Sequence, residues 1–230
     1  GSAKAAYPLI DLQTPMYVVS SVGSSNGLGG TNSTEYTYGG LKAEQGTGRG
    51  MLGFRWIKTK ELATGIETYT EYRQDWPYTG TIAKSETRLT GAGNAGLLKQ
   101  TTVSPACKIP STGLACAALP NTTAANCNLA ANNAACVTAA QNRYFTYTAS
   151  TTESSWDLSG AALPVTTTTF DYQANGSDGG ALYGDPTTIT VTNSGGATKT
   201  TVNEYLPANT SNGNWILGRL KKATVTSSQP

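Results

Sequence analysis

Short runs in which Thr alternates with Tyr, Val or Ile, bounded by closely spaced glycines and prolines, constrain this fold more than any other feature of the sequence. In one such run Thr34, Tyr36 and Tyr38 share one face of an extended chain, while Glu35 and Thr37 share the other. Branched and aromatic side chains fit a pleated, half-buried surface. The 26 glycines and 10 prolines supply turns every few residues, and no stretch keeps a helical period of apolar residues. The sequence predicts an all-β fold.

Successive runs and the turns between them predict an antiparallel meander, a twisted strip of β-hairpins. Strands are expected at 16–22, 31–38, 54–60, 66–73, 81–89, 97–103, 144–149, 165–172, 187–192, 199–206 and 215–226.

Changes in composition divide the chain into four segments. Residues 1–14 form a lead-in, either a linker or a single edge strand, whose first two residues are typical of a tag remnant. Residues 15–103 form a β-hairpin segment and residues 144–230 a second β segment. Between them, 104–143 is rich in Ala, Asn and Cys, and 126–141 is expected to form a short helix, so this part is interpreted as a partly helical insertion.

Composition also disfavours several classes of function. The chain has no histidine, which removes the commonest general base and metal ligand, so an enzyme is not expected and no cofactor is predicted. The net charge is +2, and the one basic cluster, Arg219 with Lys221 and Lys222, is too small for a nucleic-acid groove. No run of 18 apolar residues is present, so no membrane span is expected.

Several blocks match one known pattern in order: 18–30, 36–41, 48–56, 71–80, 154–164, 183–191, 199–205 and 214–220. They resemble the region preceding the repeats in large bacterial Rhs/YD-repeat toxins, including the B component of insecticidal toxin complexes. The resemblance covers most of the chain apart from the Cys-rich insertion, and 144–230 would lead into the YD-type repeats. The residues that carry it are Gly48, Arg49, Gly50, Gly53, Phe54, Tyr72, Arg73, Gln74, Asp75, Trp156, Asp157, Trp215, Gly218 and Arg219.

The resemblance implies a structural role. In that family a strip of antiparallel strands spirals into a hollow shell that encloses a C-terminal toxic segment for delivery. It implies a secreted or cell-surface protein whose partner is the remainder of its own parent polypeptide. Exposed strand edges would favour edge-to-edge self-association of this piece. The alternative is a cell-surface adhesin or carbohydrate-binding β domain, suggested by Trp56, Trp76, Trp156, Trp215 and the many tyrosines.

Residues Gly48 to Gly53 spell G-x-G-x-x-G, the dinucleotide fingerprint. That chemistry needs a helix after the motif, whereas residues 54–60 are expected to form a strand. We therefore interpret the motif as a tight connection in which glycines take positive φ.

Four cysteines, Cys107, Cys116, Cys127 and Cys136, are spaced too widely for zinc knuckles. Two disulfides are expected instead, which implies an oxidising compartment. Three connectivities are possible. If 126–141 is helical, Cys127 and Cys136 are about 13 Å apart and cannot pair. Of the two connectivities that remain, we favour the nested one, with Cys107–Cys136 outside and Cys116–Cys127 inside.

Acidic residues could indicate a calcium site or a glycosidase, but neither interpretation fits. Asp171, Asp178 and Asp185 lack the spacing of calcium ligands in an EF-hand loop. Glu67 and Glu71 share a strand face but are about 13 Å apart, too far for a glycosidase pair.

Overall fold

A computed structural model describes residues 5–45, 49–91, 96–108, 144–172, 184–211 and 213–229. Within these ranges the regular secondary structure consists of β strands, without an α-helix. The registered strand pairs are antiparallel. The predicted all-β, antiparallel class is therefore confirmed. The chain divides into two compact units, with the boundary inside the ninth strand after Thr102 and with 155–162 belonging to the first unit.

The first unit contains two sheets. A three-stranded sheet has the order β1-β4-β5, and a larger sheet has the order β2-β3-β6-β7-β8-β9. The strands are β1 Leu9–Asp11, β2 Ser21–Ser25, β3 Thr31–Gly39, β4 Lys42–Glu44, β5 Gly50–Gly53, β6 Trp56–Glu61, β7 Ile66–Tyr72 and β8 Ile82–Leu89, followed by β9 Leu97–Lys108.

The second unit contains the end of β9 and five further strands, in the order β9-β10-β11-β12-β13-β14. Neighbours along the chain are neighbours in the sheet, as a meander requires. The strands are β10 Phe145–Ser155, β11 Thr166–Asp171, β12 Thr188–Asn193, β13 Thr198–Tyr205 and β14 Leu220–Ser228.

Side-chain alternation follows the predicted pattern in β3, where Tyr36 and Tyr38 are half-buried and Glu35 and Thr37 are exposed. Threonine forms rows across the second unit. Ser150 on β10 lies opposite Thr169, which lies opposite Thr190, Thr200 and finally Thr226 on β14. Because this row leaves little apolar surface on its face, the sheet builds no deep core there.

Two predicted strands begin several residues later than expected. A strand over 16–22 was expected, but β2 begins at Ser21. Just before it, the carbonyl of Ser20 accepts a hydrogen bond from the Tyr36 amide at 2.9 Å. Met16 and Tyr17 are exposed, so no burial holds that segment on the sheet. A strand over 215–226 was expected, but β14 begins at Leu220, because Gly218 has a φ of +63° and interrupts extended pairing.

The predicted insertion begins differently from expectation, since β9 continues through Lys108. The expected short helix over 126–141 and the cysteines Cys116, Cys127 and Cys136 lie outside the described residues.

Candidate functional site

Three of the sequence blocks meet in the first unit, around the side chain of Gln74. Gln74 follows β7, and its Nε2 donates hydrogen bonds to the carbonyl oxygens of Gly40 and Gly53, each at 2.7 Å. Gly40 follows β3 and Gly53 ends β5. One amide group therefore ties the larger sheet to the three-stranded sheet within this unit.

A second tie lies beside it. Nη1 of Arg49 is 3.0 Å from Oε1 of Glu44, a carboxylate that is 8% exposed, and the Arg49 guanidinium lies 4.6 Å from the centre of the Trp76 ring. A buried carboxylate requires a partner, and Arg49 provides it while stacking on an aromatic face. We name Glu44, Arg49, Gly53, Gln74 and Trp76 together the Gln74 junction.

Close backbone approach explains the glycines of these blocks. A Cβ on Gly39 would lie 2.3 Å from the Trp56 ring, so only glycine lets that ring cover β3. Gly50 and Gly53 have φ of +65° and +82°, which confirms the positive φ expected of the G-x-G-x-x-G glycines described here; Gly48 lies outside the described residues. The motif is nevertheless a strand, β5, rather than a simple connection.

Other residues of the resemblance support this region. Phe54 packs on Tyr38 with ring centres 5.0 Å apart, and the amide of Tyr72 donates to the carbonyl of Arg55 at 2.7 Å. Arg73 donates through Nε to Asp75 at 2.6 Å, and this hydrogen bond lowers the pKa of Asp75. The Arg73–Asp75 pair closes the turn that carries Gln74.

The remaining residues of the resemblance lie elsewhere. Trp156 donates its amide to the carbonyl of Leu98 at 2.9 Å, and Asp157 caps the turn that follows, accepting from the amides of Ser159 and Ala161. In the second unit, the carbonyl of Arg219 accepts from the amide of Leu206.

Two further members, Trp215 and Gly218, lie in the second unit, and Gly218 is next to an acidic residue. Trp215 is 75% exposed. A Cβ on Gly218 would lie 3.0 Å from Asp185 Oδ1, and burial raises the pKa of Asp185.

Sequence reasoning missed a charged network on β8. Glu86 is 7% exposed. Its carboxylate accepts hydrogen bonds from Arg88 at 2.6 Å and Gln100 at 2.8 Å, and it forms an ion pair with Lys84 at 3.0 Å. Burial by itself raises the pKa of Glu86, but the hydrogen bonds from Arg88, Lys84 and Gln100 outweigh it and lower the pKa to about 2. The alternation Lys84-Ser-Glu86-Thr-Arg88 places all three charges on one face, and this signal could have revealed the network.

A groove of about 430 Å³ runs beside the outer edge of β3. The residues that line it include Met16 and Val18, which precede β2, together with Tyr36, Tyr38 and Phe54. The lining mixes apolar and aromatic side chains with Thr14 and Thr37, and carboxylates and amines are not among the residues that line it.

Candidate metal ligands do not assemble in the part of the chain that the structure describes: no group of three or more Cys, Asp or Glu side chains there could hold an ion. Asp178 lies outside it, as do three of the four cysteines. Cys107 is 3% exposed and is not a free thiol. Glu67 forms an ion pair with Lys58 at 3.1 Å.

The basic cluster does not form a groove. Lys221 and Lys222 lie 3.7 Å and 3.5 Å from the carboxylate of Glu204. Their charge is thus partly offset on the same sheet, and they are exposed.

Within the described ranges, no helix is long and apolar enough to cross a membrane.

The geometry of the Gln74 junction is structural. The Gln74 amide and the Glu44–Arg49 ion pair hold backbone segments together, so both charged side chains are paired within the protein. Comparison with protein-family models and with curated proteins finds no match.

Proposed function

We propose that the chain is a structural shell segment of a secreted bacterial Rhs/YD-repeat toxin, which helps to encapsulate and deliver a C-terminal toxic payload and performs no catalysis itself. Its partner is the remainder of its parent polypeptide. The proposal combines the ordered sequence blocks with the side-chain ties that link three of those blocks in the first unit.

The observation that carries the proposal is the scarcity of buried apolar side chains. Among the described residues, the buried hydrophobic side chains are those of Leu52, Cys107 and Tyr205, whereas nineteen large hydrophobic residues are exposed. A stable free-standing domain buries most of its apolar surface. Sheets that leave both faces half-exposed are suited to contact with further parts of a larger assembly.

The insertion is part of the same proposal. Cys107, at the end of β9, would be joined to Cys136 around an inner Cys116–Cys127 disulfide, forming a stapled, partly helical protrusion. Disulfides of this kind persist in oxidising compartments, which agrees with a secreted or cell-surface location.

Protease protection of the parent protein's C-terminal segment tests the proposal. We expect deletion of residues 1–230 to expose that segment to protease while circular dichroism shows the rest still folded. A matched control deletes only 112–140 and carries Cys107→Ser, and we expect it to keep the protection. Equal protection with and without residues 1–230 would contradict enclosure as the function.

A cell-surface adhesin or carbohydrate-binding domain is the second candidate, favoured by exposed aromatic side chains. Tyr17 is fully exposed and Trp215 is 75% exposed, and sugars stack on such rings. A glycan array distinguishes the two functions: specific binding that is lost in Trp215→Ala or Tyr17→Ala supports the adhesin, whereas a shell segment binds no glycan.

A further inference from the structure

Among the residues that the structure describes, no strand pairs with the outer edge of β14 in the second unit. β14 is the last strand in the sheet order and pairs with β13 on one side. All nine of its residues are exposed. Such an edge carries backbone donors and acceptors that can template pairing with another strand.

The hydrogen-bond alternation of the sheet identifies which groups face outward. The amide of Asn203 on β13 donates to the carbonyl of Thr187, next to β12, so the neighbouring Val202 directs its backbone groups toward β14. Val202 lies opposite Thr224. The backbone groups of Thr224 therefore face β13, and those of Ala223 and Val225 face outward.

We propose that a second copy of this chain pairs with this edge, antiparallel, with Thr224 opposite Thr224 of the other copy. In that register the outward-facing groups of Ala223 meet those of Val225, so two strand edges of identical sequence satisfy each other. Lys221 lies opposite Ser227 and Lys222 opposite Thr226.

The lysines of β14 favour the antiparallel orientation over the parallel one. Parallel in-register pairing sets Lys221 and Lys222 against themselves, and like charges directly opposite are destabilising. Antiparallel pairing about Thr224 avoids both clashes. It also uses all nine residues of the strand and places Val225, which is 56% exposed, beside Ala223 of the second copy.

The other edge strands of the described sheets are less suited, since β1 and β5 of the three-stranded sheet have only three and four residues. β2 has five residues, Ser21–Ser25, and contains Gly23, which gives a partner strand no side chain to pack on. β14 is nearly twice as long, so self-pairing at β14 is the longer ladder.

This inference rests on the unpaired edge of β14 and not on the proposed enclosure of a payload. A chain that pairs through β14 without protecting a downstream segment supports the inference and contradicts the shell. A monomeric chain whose parent still protects its payload contradicts the inference and supports the shell.

Cysteine cross-linking tests the register. Residues opposite each other in a non-hydrogen-bonded antiparallel pair have Cα atoms about 4.5 Å apart, within disulfide reach. Thr224→Cys should therefore give a covalent dimer on oxidation. In the same register, two Thr226→Cys residues are about 13 Å apart and should not cross-link. The wild type, which carries the native cysteines, is the blank on the same non-reducing gel.

Sedimentation of the wild type accompanies the gel. We expect a concentration-dependent monomer–dimer equilibrium that Thr224→Lys shifts to monomer and Val22→Lys on β2 leaves unchanged. The proposal is overturned by a wild type that stays monomeric throughout its soluble range, by Thr226→Cys cross-linking as readily as Thr224→Cys, by dissociation on Val22→Lys, or by growth beyond the dimer.

Discussion

The side-chain amide of Gln74 donates a hydrogen bond to the carbonyl oxygen of Gly53 at 2.7 Å, across 21 residues of sequence. Gly53 ends β5 with a φ of +82°, opposite Lys42 where the β4–β5 register shifts. A side-chain donor thus binds the carbonyl at the end of the short strand, and the same nitrogen also donates to Gly40. Two strand ends depend on one amide.

Gln74→Glu should destabilise the protein with almost no change in side-chain shape. An ionised carboxylate only accepts hydrogen bonds, so it would face two carbonyl oxygens without a donor. We expect a loss of about 2 kcal/mol in the free energy of unfolding near neutral pH, measured by urea denaturation.

The control for this substitution is Gln13→Glu, since Gln13 is exposed. We expect it to change stability by less than about 0.5 kcal/mol. In Gln74→Glu the carboxyl at position 74 would have a raised pKa in the folded state. The loss in the free energy of unfolding should therefore shrink as pH falls and the carboxyl becomes a hydrogen-bond donor. A pH-independent deficit would mean that the hydrogen bonds of Gln74 are not its cause.

Glu86→Gln should also destabilise the protein near neutral pH, because Lys84 and Arg88 would lose a buried counter-charge. We expect a cost of about 1–3 kcal/mol. Glu35→Gln is the matched control: Glu35 is an exposed residue of β3, and its substitution should be nearly neutral. Chemical denaturation of both variants at pH 7 gives the comparison.

The pH dependence of this effect has a definite sign. The folded-state pKa of Glu86 is about 2, below its ordinary value of 4.5. Its ionisation therefore stabilises the fold above about pH 4.5, and this contribution is lost as pH falls toward 2. The difference between wild type and Glu86→Gln should narrow across that interval, and a constant difference would contradict the depressed pKa.

Strand periodicity predicted β3 and β6 to β8 well because each is long enough to show alternation. It did not predict β4 and β5, since Lys42–Glu44 and Gly50–Gly53 are too short for a period of two to be read. These short strands depend on contacts distant in sequence, such as Arg49 to Trp76.

The segment around Met16 shows the opposite error. Its sequence, Met16-Tyr-Val-Val, has strong strand propensity, yet its side chains are exposed. Propensity describes fit to a half-buried sheet surface, and here no surface covers the segment. The Gln74 junction was anticipated as a set of matching blocks, but no local pattern specifies which carbonyls an amide will reach.

Gly39→Ala and Gly65→Ala should separate steric exclusion from backbone conformation. A Cβ on Gly39 would lie 2.3 Å from the Trp56 ring, whereas Gly65 has a φ of +69° and open space around it. We expect Gly65→Ala to cost about 1 kcal/mol through its backbone alone. Gly39→Ala should cost about 1–3 kcal/mol and displace Trp56 from Tyr69.

Near-ultraviolet circular dichroism and tryptophan fluorescence distinguish the two outcomes. The spectra should change in Gly39→Ala and stay like wild type in Gly65→Ala. Unchanged spectra in Gly39→Ala would mean that the Trp56 ring accommodates a methyl group without moving.

Trypsin should fail to release the peptide that contains Cys107 until the protein is reduced. Cleavage after Lys99, Lys108 and Arg143 produces a peptide of residues 100–108 and another of 109–143, which holds the other three cysteines. If Cys107 is bonded to any of them, mass spectrometry should find the two peptides as one species that separates into two on reduction.

Denatured, unreduced protein should show no reactive thiol, and Cys107→Ser should show one and release 100–108 freely. Because the nested pairing joins Cys107 to Cys136, a second digestion between Cys127 and Cys136 should leave 100–108 attached to the fragment with Cys136; attachment to Cys116 or Cys127 instead would overturn that connectivity.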